Sequence, residues 1–487
     1  MEDEDVVSDF HAIGEKHTKA DEHTDILVIG AGPAGLAAAI TAAKAGAQVM
    51  LVDENPLGAG LIGMDVPLLF GNRWTAAVQN QGRMLEQVLT ANPGLEEAFE
   101  LGIDVRLGTY AWGAFTGGPN LRSLPEPVVG LADETRSWLV GFRRLIIATG
   151  ARDLVYSFKG FETPGVVGAL GLTSLIQTYA AFNGQRIVIL GSGDLAIATA
   201  AMALDAGYDV AALVEVRDAP QADVSALVAR GVAIVTGHAI LEAEGNAEGV
   251  TAARLAPVAG GDAHSLACDT ICLAIGAVPV IDIADVVGAK ITRNQAGAFV
   301  PGSLPEGVSV VGDAAGLSPD ALPADADAYR MDWMRALMTT GGQDVIACSC
   351  EEVSRRDLLD VQPPRYLAAP TDKHNSLAQL AEDGPVNQDQ IKRLTRACMG
   401  PCQARRCREQ VAMIMAIGAD RPLSSIALAG YRAPVRPLPL GVLAAASETP
   451  GMVEGWNVWF GIRTQWVPYE DIGTEREIER AGRMAHF

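Results

Sequence analysis

The clearest pattern in the chain is an apolar strand, a glycine-rich turn, an alanine-rich helix and a second apolar strand. In DILVIGAGPAGLAAAITAAKAGAQVMLVDE the two strands fall at residues 26–29 and 49–52. The three glycines of the turn have the spacing of the dinucleotide fingerprint, which permits a tight turn, close approach of a pyrophosphate and close packing of helix on strand. The pattern predicts a Rossmann-like α/β domain.

The bound nucleotide is expected at the amino terminus of this helix, whose partial positive charge faces phosphate groups. An acidic residue at the end of the second strand can accept hydrogen bonds from ribose hydroxyls. Asp53, 18 positions after the last glycine, is the candidate, and Glu54 is its neighbour. The candidate binding residues are therefore Gly30, Gly32, Pro33, Ala34, Gly35, Asp53 and Glu54.

A second copy of the pattern occurs in QRIVILGSGDLAIATAAMALDAGYDVAALVE. Gly191 and Gly193 occupy its turn, and Glu215 ends its second strand. The acid favours the unphosphorylated ribose of NAD, whereas Arg217 could serve a 2′-phosphate. The alternative is a domain that keeps this fold and binds no nicotinamide.

Three further apolar strands end in glycine-containing turns: RRLIIATGA, DTICLAIGAVP and GVSVVGDAAG. With the two fingerprints, they resemble the two-dinucleotide-domain flavoproteins, the family of the glutathione and thioredoxin reductases, over residues 24–330. The resemblance implies an FAD domain, residues 24–152 and 278–335, interrupted by an NAD(P)-type domain, residues 153–277. It places Ala148, Thr149 and Gly150 at the crossover, and Gly312 and Asp313 at the flavin ribityl chain.

The reductases of that family carry a cysteine pair beside the flavin, and this chain has none in the corresponding stretches ENPLGAGLIGMDV and GALGLTSLIQTYAAF. Cys268 and Cys272 flank an apolar strand and are predicted to be buried as small hydrophobic side chains. A dithiol reductase is therefore not expected.

Five of the seven cysteines lie between Cys348 and Cys407, a distribution unlike a secreted disulfide framework. Converging thiolates suit an iron–sulfur cluster or zinc. A C-x-C pair followed by a C-x4-C pair is unusual for zinc; a purely structural set is the other alternative. The basic side chains of residues 391–410 would balance the negative charge of such a cluster; they are Lys392, Arg393, Arg396, Arg405, Arg406 and Arg408.

The segments CSCEEVSRRDL and TRACMGPCQARRC resemble the bacterioferritin-associated-ferredoxin type of small helical 2Fe-2S domain, here residues 340–415. The resemblance implies four metal ligands, Cys348, Cys350, Cys402 and Cys407, and leaves Cys398 as a spare. With YRAPVRPLPLGVLA at residues 431–444, the order of modules resembles the α subunits of opine oxidases, hydrogen cyanide synthase and proline and hydroxyproline dehydrogenase complexes, and more distantly those of sarcosine oxidase.

That resemblance implies an electron-relay subunit in a hetero-oligomer. A glycine-oxidase-like β flavoprotein would oxidise the amine or amino acid, and a small ferredoxin-like γ subunit can accompany it. FMN can lie between subunits, and some relatives hold ATP in place of FAD. Two alternatives are a self-sufficient NAD(P)H-dependent FAD/2Fe-2S reductase and a structural scaffold whose vestigial site holds ATP. No side chain is predicted to act as a general acid or base.

The composition of the chain limits the kinds of partner that it is expected to bind. Lys and Arg number 37 against 59 Asp and Glu, a net charge of −22, which argues against binding nucleic acid or an anionic membrane. Residues 1–23 are predicted to be a flexible acidic tail without a secretory signal, no apolar stretch is long enough for a membrane span, and a cytoplasmic location is expected. Residues 416–487 are expected to dock either on a partner or on the chain itself, through Trp456, Trp459 and Trp466.

Overall fold

The computed structural model describes residues 19–56, 80–116, 124, 126–294, 297–316, 325–363, 376–445 and 475–476. The acidic tail up to residue 18 and the three tryptophans of the carboxyl-terminal segment lie outside these ranges. The described strands in chain order are β1 Glu22–Ile29, β2 Val49–Asp53, β3 Asp104–Leu107, β4 Tyr110–Phe115, β5 Val128–Ala132, β6 Ser137–Ile147, β7 Ala151–Asp153, β8 Val166–Gly168, β9 Arg186–Leu190, β10 Asp209–Val214, β11 Ala233–Val235, β12 His238–Asn246, β13 Gly249–Pro257, β14 His264–Ala267, β15 Thr270–Leu273, β16 Ala277–Pro279, β17 Lys290–Arg293, β18 Phe299–Ser303, β19 Val308–Val310, β20 Ile346–Cys348 and β21 Val353–Ser354.

Helices cover the faces of the sheets and build most of the carboxyl-terminal module. The described α-helices are α1 Pro33–Lys44, α2 Gln81–Ala91, α3 Gly94–Glu100, α4 Ala169–Thr173, α5 Asp194–Asp205, α6 Ser225–Ala229, α7 Asp282–Val286, α8 Ala326–Gly341, α9 Arg355–Leu359, α10 Leu377–Asp383, α11 Gln388–Thr395, α12 Arg408–Gly418 and α13 Leu440–Ala445. In the described part of the chain, no helix has both the length and the apolar character that crossing a membrane requires.

The first sheet combines strands from two distant parts of the chain. Its strands follow the order β3-β2-β1-β6-β5-β4, and β19 also pairs with β6. The pairs of β1 with β2, β1 with β6, β2 with β3 and β6 with β19 are parallel, whereas β4, β5 and β6 form an antiparallel meander. Leu27, Val28 and Leu51 are fully buried because α1 and the meander cover the two faces of the parallel part.

The second sheet repeats this pattern with five parallel strands in the order β11-β10-β9-β15-β8. Its central strand β9 reads RIVIL and is buried from Ile187 onward, as a sheet with both faces covered requires. The strands β12, β13 and β14 form a separate antiparallel sheet. The chain enters and leaves this region through β7 and β16, which pair antiparallel with each other.

The cysteine-rich module packs on α8 and on the second domain. Its helix α12 is buried on all sides, as expected of a helix at the centre of a core: five consecutive residues from Ala412 to Ala416 are each 1% exposed or less. Capping boxes begin two of its short helices: Ser354 pairs with Asp357 at α9, and Ser376 pairs with Gln379 at α10. The expected α/β architecture followed by a small helical module is confirmed.

Candidate functional site

A cavity of about 490 Å³ lies where β1, β2 and β6 end. This is the edge at which open parallel sheets bind ligands. Among the predicted site residues, eight line this cavity: Gly30, Gly32, Pro33, Asp53, Glu54, Ala148, Thr149 and Gly150.

The three fingerprint glycines have distinct roles. Gly30 has φ +108°, and a Cβ there would lie 2.3 Å from the carbonyl oxygen of Ala148. A Cβ on Gly35 would lie 1.8 Å from the carbonyl oxygen of Gly30, so both positions require glycine. A Cβ on Gly32 would meet no atom of the described residues within 4 Å. Gly32 is the amino-terminal cap of α1 and has no side-chain cap, so the first N–H groups of this helix remain available for a pyrophosphate.

Asp53 is held in place by the turn that it faces. It accepts hydrogen bonds from the backbone N–H groups of Ala31 at 2.5 Å and Asn55 at 2.7 Å. Removal from water raises the pKa of the Asp53 carboxyl above its ordinary value, although these N–H groups oppose the shift. Each carboxylate oxygen has two lone pairs, so Asp53 can still accept a ribose hydroxyl. Glu54 instead accepts a hydrogen bond from Arg436 Nε at 2.8 Å.

The crossover residues fix the end of β6. Thr149 Oγ1 donates to the carbonyl oxygen of Val280 at 2.7 Å, and the Val280 N–H donates to Gly150 at 2.9 Å. The turn with Gly312 and Asp313 is a 3₁₀ helix that lies against the start of α1, since a Cβ on Gly312 would lie 2.7 Å from the Cβ of Ala34. Gly312 and Asp313 are exposed and do not line the cavity.

The cavity is also lined by three arginines that the sequence did not indicate as nucleotide-binding residues: Arg152, Arg405 and Arg436. Arg405 comes from the loop between Cys402 and Cys407, and Arg436 joins Glu54 to the buried carboxylate of Asp282. The guanidinium groups of Arg436 and Arg405 hold the pKa of Asp282 below its usual range, against the effect of burial. The density of arginine near the cysteines was visible in the sequence, but the cavity it would face was not.

The second fingerprint keeps its tight turn, with Gly191 at φ +113°. Its acidic residue, however, is already hydrogen-bonded to other residues of the chain. Glu215 is fully buried and accepts hydrogen bonds from the Ser192 hydroxyl, from the Tyr329 hydroxyl at 2.7 Å and from the Arg217 N–H at 3.0 Å. Glu215 has no exposed surface, unlike Asp53, which lines the large cavity, so the geometry does not offer Glu215 to a ribose.

Other groups near this turn that could bind a ribose or a phosphate in place of Glu215 are also bonded within the protein. The guanidinium of Arg217 bonds to Asp325 and Asp332 and lies over the Tyr329 ring at 5.1 Å. A Cβ on Gly193 would lie 3.7 Å from the Gln221 side chain, and the Gln221 N–H donates to the Ser192 hydroxyl. The residues present at this turn therefore do not fit a nicotinamide dinucleotide bound through its ribose or a 2′-phosphate.

The predicted metal ligands meet at a second, much smaller cavity. Cys348 ends β20, Cys350 lies in the 3₁₀ turn Ser349–Glu351, Cys402 lies in the loop after α11, and Cys407 caps α12. All four line this cavity, and Cys398 does not. The Cys398 Sγ nevertheless lies 3.5 Å from the Cys407 Sγ.

The loop that carries Cys402 is tightly coiled. Positive φ angles occur at Arg396, Cys398, Gln403 and Ala404. Gly400 packs directly on the opposite segment, because a Cβ there would lie 2.2 Å from the Cβ of Cys350. The coiling directs backbone N–H groups to sulfur: Cys398 donates to Cys348, Cys402 to Cys350, and Arg406 to Cys402.

Four thiols around one cavity, with N–H donors to three of the sulfurs, match the donor set of a 2Fe-2S cluster. Hydrogen bonds from Cys350 and Cys407 hold the pKa of Cys402 far below its usual range, and the pKa of Cys407 is raised in turn. Among the described residues, no group of three or more His, Cys, Asp or Glu side chains is arranged so that it could hold a metal ion. Cys268 and Cys272 lie apart, both buried and free, and burial raises the pKa of Cys268 to about 12.

Comparison with known proteins defines the class of the chain. A family model described as pyridine nucleotide-disulphide oxidoreductase matches residues 24–337, and the sarcosine oxidase A3 domain matches residues 373–447. The chain belongs to the pyridine nucleotide-disulphide oxidoreductase family. Membership implies FAD as cofactor and places the chain among the flavin-dependent oxidoreductases.

Several of its relatives are subunits of oxidases. The A subunit of opine oxidase from Agrobacterium tumefaciens (strain Ach5) is 24% identical over 504 residues, covering 89% of this chain and 93% of the relative. The α subunit of sarcosine oxidase from Rhizobium meliloti (strain 1021) is 30% identical over 312 residues, which are 63% of this chain and 30% of the relative. The chain therefore spans about a third of the length of the sarcosine oxidase α subunits that it matches. The predicted resemblance to these α subunits is confirmed.

The fold of L-proline dehydrogenase from P. horikoshii matches this chain with a TM-score of 0.56 at 19% identity, covering 88% of this chain and 81% of that chain. This coverage exceeds what residues 24–337 alone could supply. The shared fold therefore extends beyond residues 24–337.

Proposed function

We propose that the chain is the electron-relay subunit of a multi-subunit amine or amino acid dehydrogenase or oxidase, with FAD in the large cavity and a 2Fe-2S cluster at the four cysteines. One observation carries this proposal. The loop from Cys402 to Cys407 supplies two thiols to the small cavity, while Arg405, between them, lines the nucleotide cavity. A group in either cavity would therefore lie one loop away from the other.

The residues of the chain would hold each group by ordinary contacts. The amino terminus of α1 would bind the pyrophosphate, and Asp53 the ribose. Cys348, Cys402 and Cys407 are each 2% exposed or less, so protein excludes water from that side of the cluster, while Cys350 is more accessible. When bound, a flavin accepts electrons in pairs and a 2Fe-2S cluster carries them singly.

The closed second fingerprint favours a relay over a self-sufficient NAD(P)H-dependent reductase. With Glu215 and Arg217 bonded within the protein, electrons would enter from a partner chain. We take that partner to be a glycine-oxidase-like β flavoprotein; FMN at the interface between the two chains and a small ferredoxin-like γ subunit are further candidates. The free cysteines among the described residues support a reducing compartment such as the cytoplasm.

Anaerobic mixing with reduced nicotinamide nucleotides tests this proposal. The purified chain is mixed with NADH or NADPH in a stopped-flow spectrometer, and the flavin absorbance is followed for minutes. We expect no bleaching with either nucleotide and complete bleaching with dithionite, which shows that the flavin is reducible. Rapid bleaching by NADH would favour the reductase and contradict the relay.

A further inference from the structure

Arg152 connects the two cavities. It lies on β7, two residues after Gly150, and lines the nucleotide cavity although its side chain is only 5% exposed. Its Nη2 donates to both carboxylate oxygens of Glu409 at 3.0 Å and to the hydroxyl of Tyr431 at 3.4 Å. One edge of the guanidinium is therefore clamped by residues that come from the cysteine-rich module and the segment after it.

Glu409 in turn is tied to the cysteine cavity. It is the second residue of α12 and follows Cys407 by two positions. Arg408 also donates to Glu409, at 3.2 Å, and lies over the Tyr431 ring at 4.3 Å. Arg152, Arg408 and Glu409 form a buried ionic cluster between the two proposed cofactor sites, and a buried charge of this kind persists only when its partners are well placed.

The other edge of the guanidinium has no hydrogen-bond partner among the described residues. The Nη1 atom of Arg152 is buried and donates to none of them. A buried donor without an acceptor is unfavourable, and such a group calls for a specific explanation such as a bound ligand. Because Arg152 lines the nucleotide cavity, an acceptor on the bound nucleotide supplies that explanation.

Sheet order indicates which part of a dinucleotide would reach Arg152. Asp53 ends β2, on one side of β1, and the crossover that leads to Arg152 follows β6, on the opposite side of β1. With its adenosine ribose at Asp53 and its pyrophosphate at α1, a dinucleotide extends its second half toward β6. In FAD that half carries the redox ring.

We propose that Arg152 donates a hydrogen bond from Nη1 to an acceptor on the redox ring of the bound dinucleotide, and that Glu409 is the positioning residue that aims it. This inference rests on the proposed function, since it requires FAD in the cavity. The positive charge of Arg152 favours the reduced ring, which carries more negative charge than the oxidised ring. Glu409, further from the ring, reduces that effect and links it to the loop of the cluster.

Spectroelectrochemical titration of the purified full chain tests the inference. Arg152→Gln is expected to weaken the preference for reduced over oxidised flavin about tenfold, which lowers the two-electron midpoint potential by about 30 mV. Glu409→Gln is expected to shift the potential in the opposite direction, because the glutamine amide oxygen can still accept from Arg152 Nη2 and aim it, while Arg152 loses its counter-charge. Arg152→Lys, which keeps the charge, should stay closer to wild type than Arg152→Gln does. Arg143→Gln, at a side chain that is 84% exposed, is the matched control and should leave the potential unchanged.

The outcomes separate this inference from the relay proposal. Flavin-containing wild type with unchanged potentials in Arg152→Gln and Glu409→Gln would overturn the inference and leave the relay proposal standing. Shifts of the same sign in both variants would also overturn it, since a merely structural disturbance predicts that result. Should Arg152→Gln not fold, Glu409→Gln decides: a raised potential supports the inference, and an unchanged or lowered potential overturns it. A wild-type chain that releases no flavin on denaturation would instead refute the proposed function itself.

Discussion

Asp153 shows how a single buried carboxyl can shape the stability of the fold. It is 2% exposed and accepts hydrogen bonds from the N–H groups of Leu170 at 2.8 Å and Gly171 at 3.0 Å, at the start of α4. Burial raises the pKa of Asp153 to about 7, although these N–H groups and the charge of Arg152 oppose the shift. Asp153 therefore keeps its proton in the folded chain at pH values where the unfolded chain has lost it.

This shift predicts a defined pH dependence. Below the unfolded pKa of 3.8, Asp153 is protonated in both the folded and the unfolded chain, so its burial as a neutral group takes nothing from the unfolding free energy. As pH rises from there to about 7, the folded state loses up to about 1.4 kcal/mol per pH unit relative to the unfolded state. Asp153→Asn removes this loss, so its unfolding free energy should decline less with rising pH than that of wild type, measured by urea unfolding at several pH values. The exposed control Asp194→Asn should keep the wild-type slope, and an equal slope in Asp153→Asn would refute the assignment.

At the scale of residues, the sequence indicates which side chains lie together only where the signal is local. Gly30, Gly32 and Asp53 lie within one strand–helix–strand unit, so their spacing alone places them at one cavity. Arg152 could not be identified in this way. Its partner Glu409 lies 257 positions away in the chain, and only the docking of the cysteine-rich module brings the two together.

At the scale of elements, the second fingerprint shows the same contrast between what a local pattern predicts and what distant parts of the chain decide. Its strand, turn and helix follow from the apolar pattern and the glycines, and they form as β9, α5 and β10. The closure of its acidic residue does not follow from that pattern. Tyr329, whose hydroxyl binds Glu215, comes from α8, 114 positions later in the chain. Whether a dinucleotide fold is open to a ligand is thus decided by an element outside the fold.

The close packing of the loop between α11 and α12 predicts how a substitution there would affect stability and the proposed cluster. Gly400→Ala places a Cβ 2.2 Å from the Cβ of Cys350, so the two cysteine segments must move apart. We expect a loss of about 1–3 kcal/mol of unfolding free energy, together with loss of the visible absorption of the cluster. Urea unfolding and absorption spectroscopy measure the two effects.

Gly384→Ala is the matched control for this substitution. A Cβ on Gly384, just after α10, meets no atom within 4 Å in the part of the chain that the structure describes, so its effect should stay within about 0.5 kcal/mol. If Gly400→Ala retained both cluster absorption and wild-type stability, the close approach of the two cysteine segments would be refuted.

At the scale of the whole molecule, the order of modules could be predicted from motifs, whereas their mutual contacts could not. The two fingerprints and the cysteine spacing each act within a short stretch, and together they indicated the architecture. The contact between the nucleotide cavity and the cysteine-rich module depends on Arg405 and on residues after α12, such as Arg436. These side chains join parts of the chain that no local pattern relates.

The proposed electron relay depends on iron and sulfide at the four cysteines. The most direct measurement is metal and acid-labile sulfide analysis of the anaerobically purified chain, with Cys402→Ser and Cys398→Ser measured beside it. We expect iron and sulfide in the stoichiometry of one 2Fe-2S cluster per chain, their loss in Cys402→Ser with flavin retained, and their retention in Cys398→Ser. Zinc or no metal in the wild type, or unchanged iron and sulfide in Cys402→Ser, would contradict the relay.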